Sequence, residues 1–187
     1  LDHEKYNFTT GFQSFENLQL VSSDRYQYIL PYYNFDRRIL NDFDYGVFNF
    51  SSSGNNDLNN TNNLKTKIIN NLKFNSSDFI TNRGFKNNYN LYFRNLNIYA
   101  TNDSKYKSSP QIELMNIVEF NSSFPLINMN DENADYLTPK ISLRFNPGDM
   151  KNYSASDRFI NVDNIFNVDR LGLDDSFEEG KSVTMGL

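Results

Sequence analysis

Along much of this chain, apolar and polar side chains alternate with a period of two. In LKTKIINNLKF, Leu64, Thr66, Ile68, Leu72 and Phe74 fall on one face, while Lys65, Lys67, Asn71 and Lys73 fall on the other. In PQIELMNIVEF, Ile112, Leu114, Val118 and Phe120 oppose Gln111, Glu113 and Glu119. In TPKISLRFN, Pro139, Ile141, Leu143 and Phe145 oppose Thr138, Lys140, Ser142, Arg144 and Asn146. Successive side chains of a strand point to opposite sides of a sheet, so each segment predicts a strand with one apolar and one polar face. Less regular strands are expected over 8–20, 25–39, 45–50, 84–100 and 158–168, and no stretch keeps the 3.6-residue period of an amphipathic helix. Stretches rich in Asn, Ser, Asp and Gly at 51–63, 75–78, 101–110, 128–135 and 146–157 predict the turns between them.

Two architectures produce this alternation. A soluble sandwich buries one face of each sheet and solvates the other. An outer-membrane barrel turns its apolar face to lipid and its polar face to a wet lumen, with aromatic girdles at both interfaces. Strand length separates them: several segments reach ten or more residues, against about five or six in an ordinary globular sheet and about 9–11 per membrane crossing in a barrel. Tyr and Phe gather near segment ends, as in YQYILPYYNF and NYNLYF. The expectation is an all-β, antiparallel up-and-down meander, part of a large transmembrane β-barrel, forming an open curved sheet when isolated. On that reading Lys65, Lys67, Lys73, Glu113, Glu119, Lys140 and Arg144 are candidate lumen-facing residues, and Ile112, Leu114, Val118, Ile141, Leu143 and Phe145 face lipid.

Composition narrows the function classes. Asn is the commonest residue and hydrophobics are only 38%, which points towards disorder, but 12 Tyr and 17 Phe argue for a folded surface. A formal net charge of −5 offers no basic field for nucleic acid. With no Cys, neither disulfides nor thiolate metal sites form within these residues. No apolar run approaches the roughly 20 residues of a spanning helix. The opening LDHEKYNFTTGF has neither an initiator Met nor the basic start and apolar core of a signal peptide, so a piece of a longer protein is expected.

Candidate chemistry is sparse. The single histidine, His3, has no neighbouring acid or nucleophile and reads as an exposed bystander. Gly-rich phosphate loops, metal-ligand spacings and nucleophile elbows are missing from the sequence. The acidic clusters at 41–44, 131–133, 174–175 and 178–179 lack the alternating ligands and central Gly of a calcium loop, and read as solvated turns. Asn-x-Ser/Thr triplets, as at Asn75, Asn102 and Asn121, arise by chance in a chain this rich in Asn and Ser. The expectation is a protein without cofactor that is not an enzyme.

The last third carries a more specific signal. YLTPKISLRFNP, followed by DNIFNVDRLGLDDSFEEGKSVTMGL, resembles the β-barrel domain of the LPS-assembly protein family (LptD, or organic solvent tolerance protein). That family carries a strand of the form P-x-[IV]-x-[LV]-R-[YF]-x-P, then N-L-F-x-x-N-R-F-S-G-L-D-R-x-E-x-G and an alternating strand ending Y-G-L. Pro139, Ile141, Leu143, Arg144, Phe145 and Pro147 fit the first element. Asn164, Phe166, Arg170, Asp175, Glu178, Gly180, Gly186 and Leu187 fit the second. The chain departs from the pattern at Asp169, Leu173 and Ser176, where the family has Asn, Gly and Arg. The resemblance is specific over 136–187 and looser over 1–135, where RYQYILPYYNF and NLYFRNLNIYA are similar to early barrel strands.

The resemblance implies that 1–187 is a partial barrel domain of a transporter placing lipopolysaccharide in the outer leaflet of the cell outer membrane. Its implied partners are lipopolysaccharide, an LptE-like lipoprotein plug, outer-membrane lipid and a periplasmic Lpt bridge protein, the last reached through an N-terminal domain outside this segment. The family's lateral gate strands are also expected outside it. DRLGLDDSFEEG is implied to be a loop between neighbouring strands, in which Arg170 pairs with Asp174, Asp175 or Glu178. A soluble all-β binding module or adhesin, and a general porin or receptor barrel, remain the alternatives.

Overall fold

The computed structural model describes residues 2–3, 5–20, 23–60, 62–129, 134–151, 157–173 and 175–187. Twelve strands appear among them: β1 (Asp2–His3), β2 (Tyr6–Glu16), β3 (Tyr26–Asp42), β4 (Gly46–Asn59), β5 (Asn63–Ser76), β6 (Phe79–Ile80), β7 (Lys86–Thr101), β8 (Gln111–Ser123), β9 (Leu126–Met129), β10 (Ala134–Leu137), β11 (Lys140–Asn146) and β12 (Gly180–Gly186). The main sheet is an antiparallel meander of order β1-β2-β3-β4-β5-β7-β8-β11-β12, with β6 on β7; β9 and β10 form a separate hairpin. Among the described residues the order does not return from β12 to β1, so the sheet is not closed. No described helix is long and apolar enough to cross a membrane, a statement about helices alone.

Three expectations about elements are corrected. The Ser- and Asn-rich run after Phe50 is not a turn but the second half of β4, to Asn59. Its polar side chains find partners on the neighbouring strands: Ser52 Oγ donates to Asn70 Oδ1 (2.7 Å), Thr66 Oγ1 to Asn56 Oδ1 (2.8 Å) and Gln27 Nε2 to Asp57 Oδ1 (3.0 Å). Gly54 completes the fit, because a Cβ there would lie 2.4 Å from the Tyr33 ring. Part of the expected turn at 128–135 belongs instead to the β9–β10 hairpin, where Asn128 pairs with Asp135; 130–133, with the acidic cluster there, lies outside the described residues. The strand expected at 158–168 is absent. Asn161 turns the chain there, its Oδ1 accepting from the amides of Asp163 and Asn164 (2.9 and 3.2 Å).

Two compact units interleave along the sequence. The first comprises Leu1–Leu40, Asn49–Leu72 and Arg94–Leu114. Here a row of side chains links four strands: Tyr33 and Ser52 hydroxyls (3.1 Å), Ser52 to Asn70, Asn70 Nδ2 to Asn95 Oδ1 (3.1 Å) and Asn97 Nδ2 to Asn95 Oδ1 (2.7 Å). A second row joins Ser51, Asn71 and Arg94. Ile69, Leu96, Ile98 and Ala100 are buried.

The second unit comprises Asn41–Phe48, Lys73–Phe93 and Met115–Leu187. The pairing of β11 with β8 and β12 sets Arg144 opposite Glu119 and Ser182, and Ser142 opposite Asn121 and Thr184. Residues paired across a sheet share a face. Glu119, Ser142, Arg144 and Thr184 are buried, whereas Val118, Phe120, Leu143, Phe145, Val183 and Met185 on the opposite face are exposed.

Candidate functional site

Glu119 organises the middle of the buried face. Only 2% exposed, its carboxylate accepts from Ser142 Oγ (3.2 Å), Asn90 Nδ2 (2.7 Å) and Asn121 Nδ2 (3.0 Å). A buried carboxylate is tolerated when its lone pairs are met, and β7, β8 and β11 each supply a donor here.

Directly opposite Glu119 in the register, Arg144 reaches away from the sheet. Its Nε donates to the Val168 carbonyl and its Nη1 to the Glu178 carbonyl, both at 3.0 Å. Asn146 Nδ2 also donates to the Glu178 carbonyl (2.8 Å). Glu178 thus accepts through its backbone from β11 while its carboxylate takes Arg170 in a two-point fork, Nε to Oε2 (2.8 Å) and Nη2 to Oε1 (2.5 Å). Arg170 Nη2 also donates to Ser182 Oγ of β12 (2.9 Å). The fork geometry suits a guanidinium far better than an ammonium.

These bonds fold residues 161–173 and 175–179 down onto the sheet. Phe177, 1% exposed, packs on Tyr92 of β7 with ring centroids 5.0 Å apart. Lys151 Nζ lies 3.7 Å from the Asp175 carboxylate, and the Lys151 amide donates to Ser176 Oγ (3.0 Å). At the far end, Phe166 lies over Gly186, where a Cβ would come within 2.9 Å of its ring, and the Lys140 ammonium sits 4.3 Å from its centroid. Asn164 holds the turn, accepting from the Asn161 amide (2.8 Å) and donating to the Phe159 carbonyl (3.0 Å). Gly180, at φ +88, lets the chain enter β12.

No protein-family model matches this chain, and no curated protein matches it.

The reading of this acidic stretch as a solvated turn is corrected at Asp175, while Glu179 is exposed. Arg170, Asp175, Ser176 and Phe177 are all buried, because the segment is pinned to a sheet rather than projecting from it. Of the three acids expected to meet Arg170, Glu178 does so in the fork above; Asp175 is with Lys151, and Asp174 lies outside the described residues. Among the candidate lumen-facing residues, Glu119 and Arg144 are buried and Lys140 is half-buried in this unit. Lys73 is exposed, its ammonium 4.5 Å from the Tyr92 ring centroid. Lys65, Lys67 and Glu113 are half-buried and belong to the first unit. Tyr92, Asn90, Phe177 and Ser182 were not singled out from the sequence, and Asn146 and Asn121 were noted only as a polar-face residue and a chance triplet. Two of the decisive acceptors are the backbone carbonyls of Val168 and Glu178, which have no sequence signature. The cluster's groups are engaged with one another and with the segment above them, so what the arrangement does chemically is hold its own chain in place.

Proposed function

We propose that the chain is a wall segment of an outer-membrane β-barrel that exports lipopolysaccharide. One observation carries the barrel part: within the second unit the apolar face is bare and the charged face is covered. Val183 and Met185 are 61% and 74% exposed while Glu119 and Arg144, on the other face, are 2% and 5% exposed. Burying the charged side of a sheet and leaving six large apolar side chains in water is unfavourable, whereas a bilayer makes the same arrangement favourable. The lipopolysaccharide part rests on the motifs at 139–147 and 164–187, and with it come the lipoprotein plug and the periplasmic bridge as partners. The protein acts as a conduit, with no catalytic step assigned to it.

The first unit favours a second reading, a soluble β-module. There Leu96, Ile98 and Ala100 are buried, and the half-buried Asn70, Asn95 and Asn97 bond to one another.

The chain has no Trp, so a single introduced indole reports its own surroundings. Full-length protein carrying Leu143→Trp or Val183→Trp is reconstituted with brominated phospholipid. Quenching at both positions is the expected result; an indole that stays bright selects the soluble module. Depleting the protein in its own cells should then lower lipopolysaccharide at the cell surface. Unchanged surface lipopolysaccharide with quenched indoles would leave a general porin or receptor barrel.

A further inference from the structure

Segment 147–179 joins neighbouring strands β11 and β12, and its described residues join no sheet. The contacts that attach it to the sheet are made by side chains and include Arg144 and Asn146 to two of its carbonyls, the Arg170–Glu178 fork to Ser182, Phe177 on Tyr92, and Phe166 over Gly186 and Lys140. Element-to-element hydrogen-bond ladders are lost only when strands separate, but contacts of this kind can be released while the sheet stays whole.

The attachment is also imperfect. Arg144 Nη2 and Asn121 Oδ1, on the same face as Glu119, are buried with no hydrogen-bond partner among the described residues. Unsatisfied buried polar atoms penalise the state that contains them, and lifting the segment that Arg144 contacts would return its Nη2 to solvent. A cleft of about 200 Å³ already opens at the segment's edge, lined by Lys73, Asn90, Tyr92, Val168 and Asp169.

We infer that residues 161–173 and 175–179 form a displaceable strap, pinned through Arg144 and Glu178, that closes the charged face of this sheet and opens it on release. The inference rests on the barrel reading for its consequence: the charged face is then the lumen side, and the strap narrows the path along it. Hydrated, polar cargo is what a face built from Glu119, Arg144, Asn90 and Asn121 would admit once uncovered.

Trypsin offers a direct readout. Arg170 is buried beneath the pins, while Arg158 is exposed and serves as an internal control. In full-length protein held in detergent, Arg144→Met should raise cleavage after Arg170 at least tenfold and leave cleavage after Arg158 unchanged. Glu178→Gln, a milder change, should raise it severalfold. Tyr92→Cys with Phe177→Cys introduces the chain's only two thiols; closing them with a short crosslinker should return cleavage at Arg170 to the parent rate, even beside Arg144→Met. Reconstituted in vesicles, released variants should pass larger sugars than the crosslinked form.

Cleavage after Arg170 that ignores both pin variants would overturn the strap, as would cleavage that rises despite the crosslink. Sugar flux insensitive to the crosslink would overturn its gating role. Failure of every form, parent included, to insert into vesicles would instead remove the barrel reading, and the detergent proteolysis would still decide whether the strap moves.

Discussion

Glu178 serves two guanidiniums at once, its carbonyl accepting from Arg144 and its carboxylate from Arg170. Removing the carboxylate strands a buried Arg170, the circumstance in which one half of a charge pair is most costly to lose. Glu178→Ala should lower stability by about 3 kcal/mol, the lower end of the range for buried pairs, because Glu178 itself is 23% exposed at the side chain. Denaturant titration in detergent checks this, with the Arg170→Met, Glu178→Ala double variant expected to recover part of the loss. Two glycines make a sharper comparison. Gly54→Ala presses a methyl group on the Tyr33 ring and should cost about 1–3 kcal/mol, recovered in part by Tyr33→Ala. Gly46 has φ +123 and would place a Cβ 2.2 Å from the Asn75 carbonyl oxygen. Its neighbour is backbone, so no second substitution should rescue Gly46→Ala.

At the scale of elements, the polar rows of the first unit act as strand-to-strand fasteners. Asn95 accepts from both Asn70 and Asn97, so Asn95→Leu leaves two half-buried amides without an acceptor. A loss of about 1–2 kcal/mol should show in denaturant titration, while Asn70→Val with Asn95→Val should cost less than the sum of the two. The turn before β7 responds to acid. Hydrogen bonds from Lys86 and then Asn88 hold the Asp78 carboxyl below its ordinary value. A depressed folded value means the stabilisation is present above the unfolded value, about 3.9, and disappears as pH falls through the folded one. Both side chains of the pair are more than a third exposed, so solvent screening keeps the effect to about 0.5 kcal/mol or less. Amide exchange at Lys86–Asn88, corrected for its intrinsic rate, should quicken from pH 5 to pH 2, and Asp78→Asn should remove that dependence. Much of this level was legible in the sequence: the alternation over 64–74, 111–120 and 139–145 set the strands, and over 139–145 it also separated buried Ser142 and Arg144 from exposed Leu143 and Phe145. Over 64–74 the faces were not legible, since Ile69 is buried on the side of Lys65 and Lys67 while Thr66 and Asn70 join polar rows on the other. The second half of β4 was hidden because Ser, Gly and Asn signal turns by local preference, and only cross-strand partners reveal them as ladder residues. The 158–168 stretch misled in the other direction, since its apolar residues suit a strand while the Asn161 cap closes a turn. At the site, Arg170 with an acid eight residues later was readable; the carbonyls that receive Arg144 were not.

At the scale of the whole molecule, the two faces of the second unit make opposite demands on a charged substitution. Leu143→Arg or Val183→Arg should each weaken the membrane-inserted form by about 2–4 kcal/mol if the apolar face meets hydrocarbon at mid-depth. In water the same exposed positions should tolerate Arg with almost no change, so refolding of full-length protein into vesicles and into solution gives opposite answers. The meander order has a bearing of its own on how such a sheet comes into being. Nearly every strand pairs with the strand beside it in sequence, and the step from β8 to β11 skips only the β9–β10 hairpin. Short closures of this kind cost little entropy, so assembly can run as a zipper, each new hairpin laid on the edge left by the last. The stretch between β11 and β12 is the exception, and a growing sheet must wait at that edge until the long connection has folded back and delivered β12 to its partner.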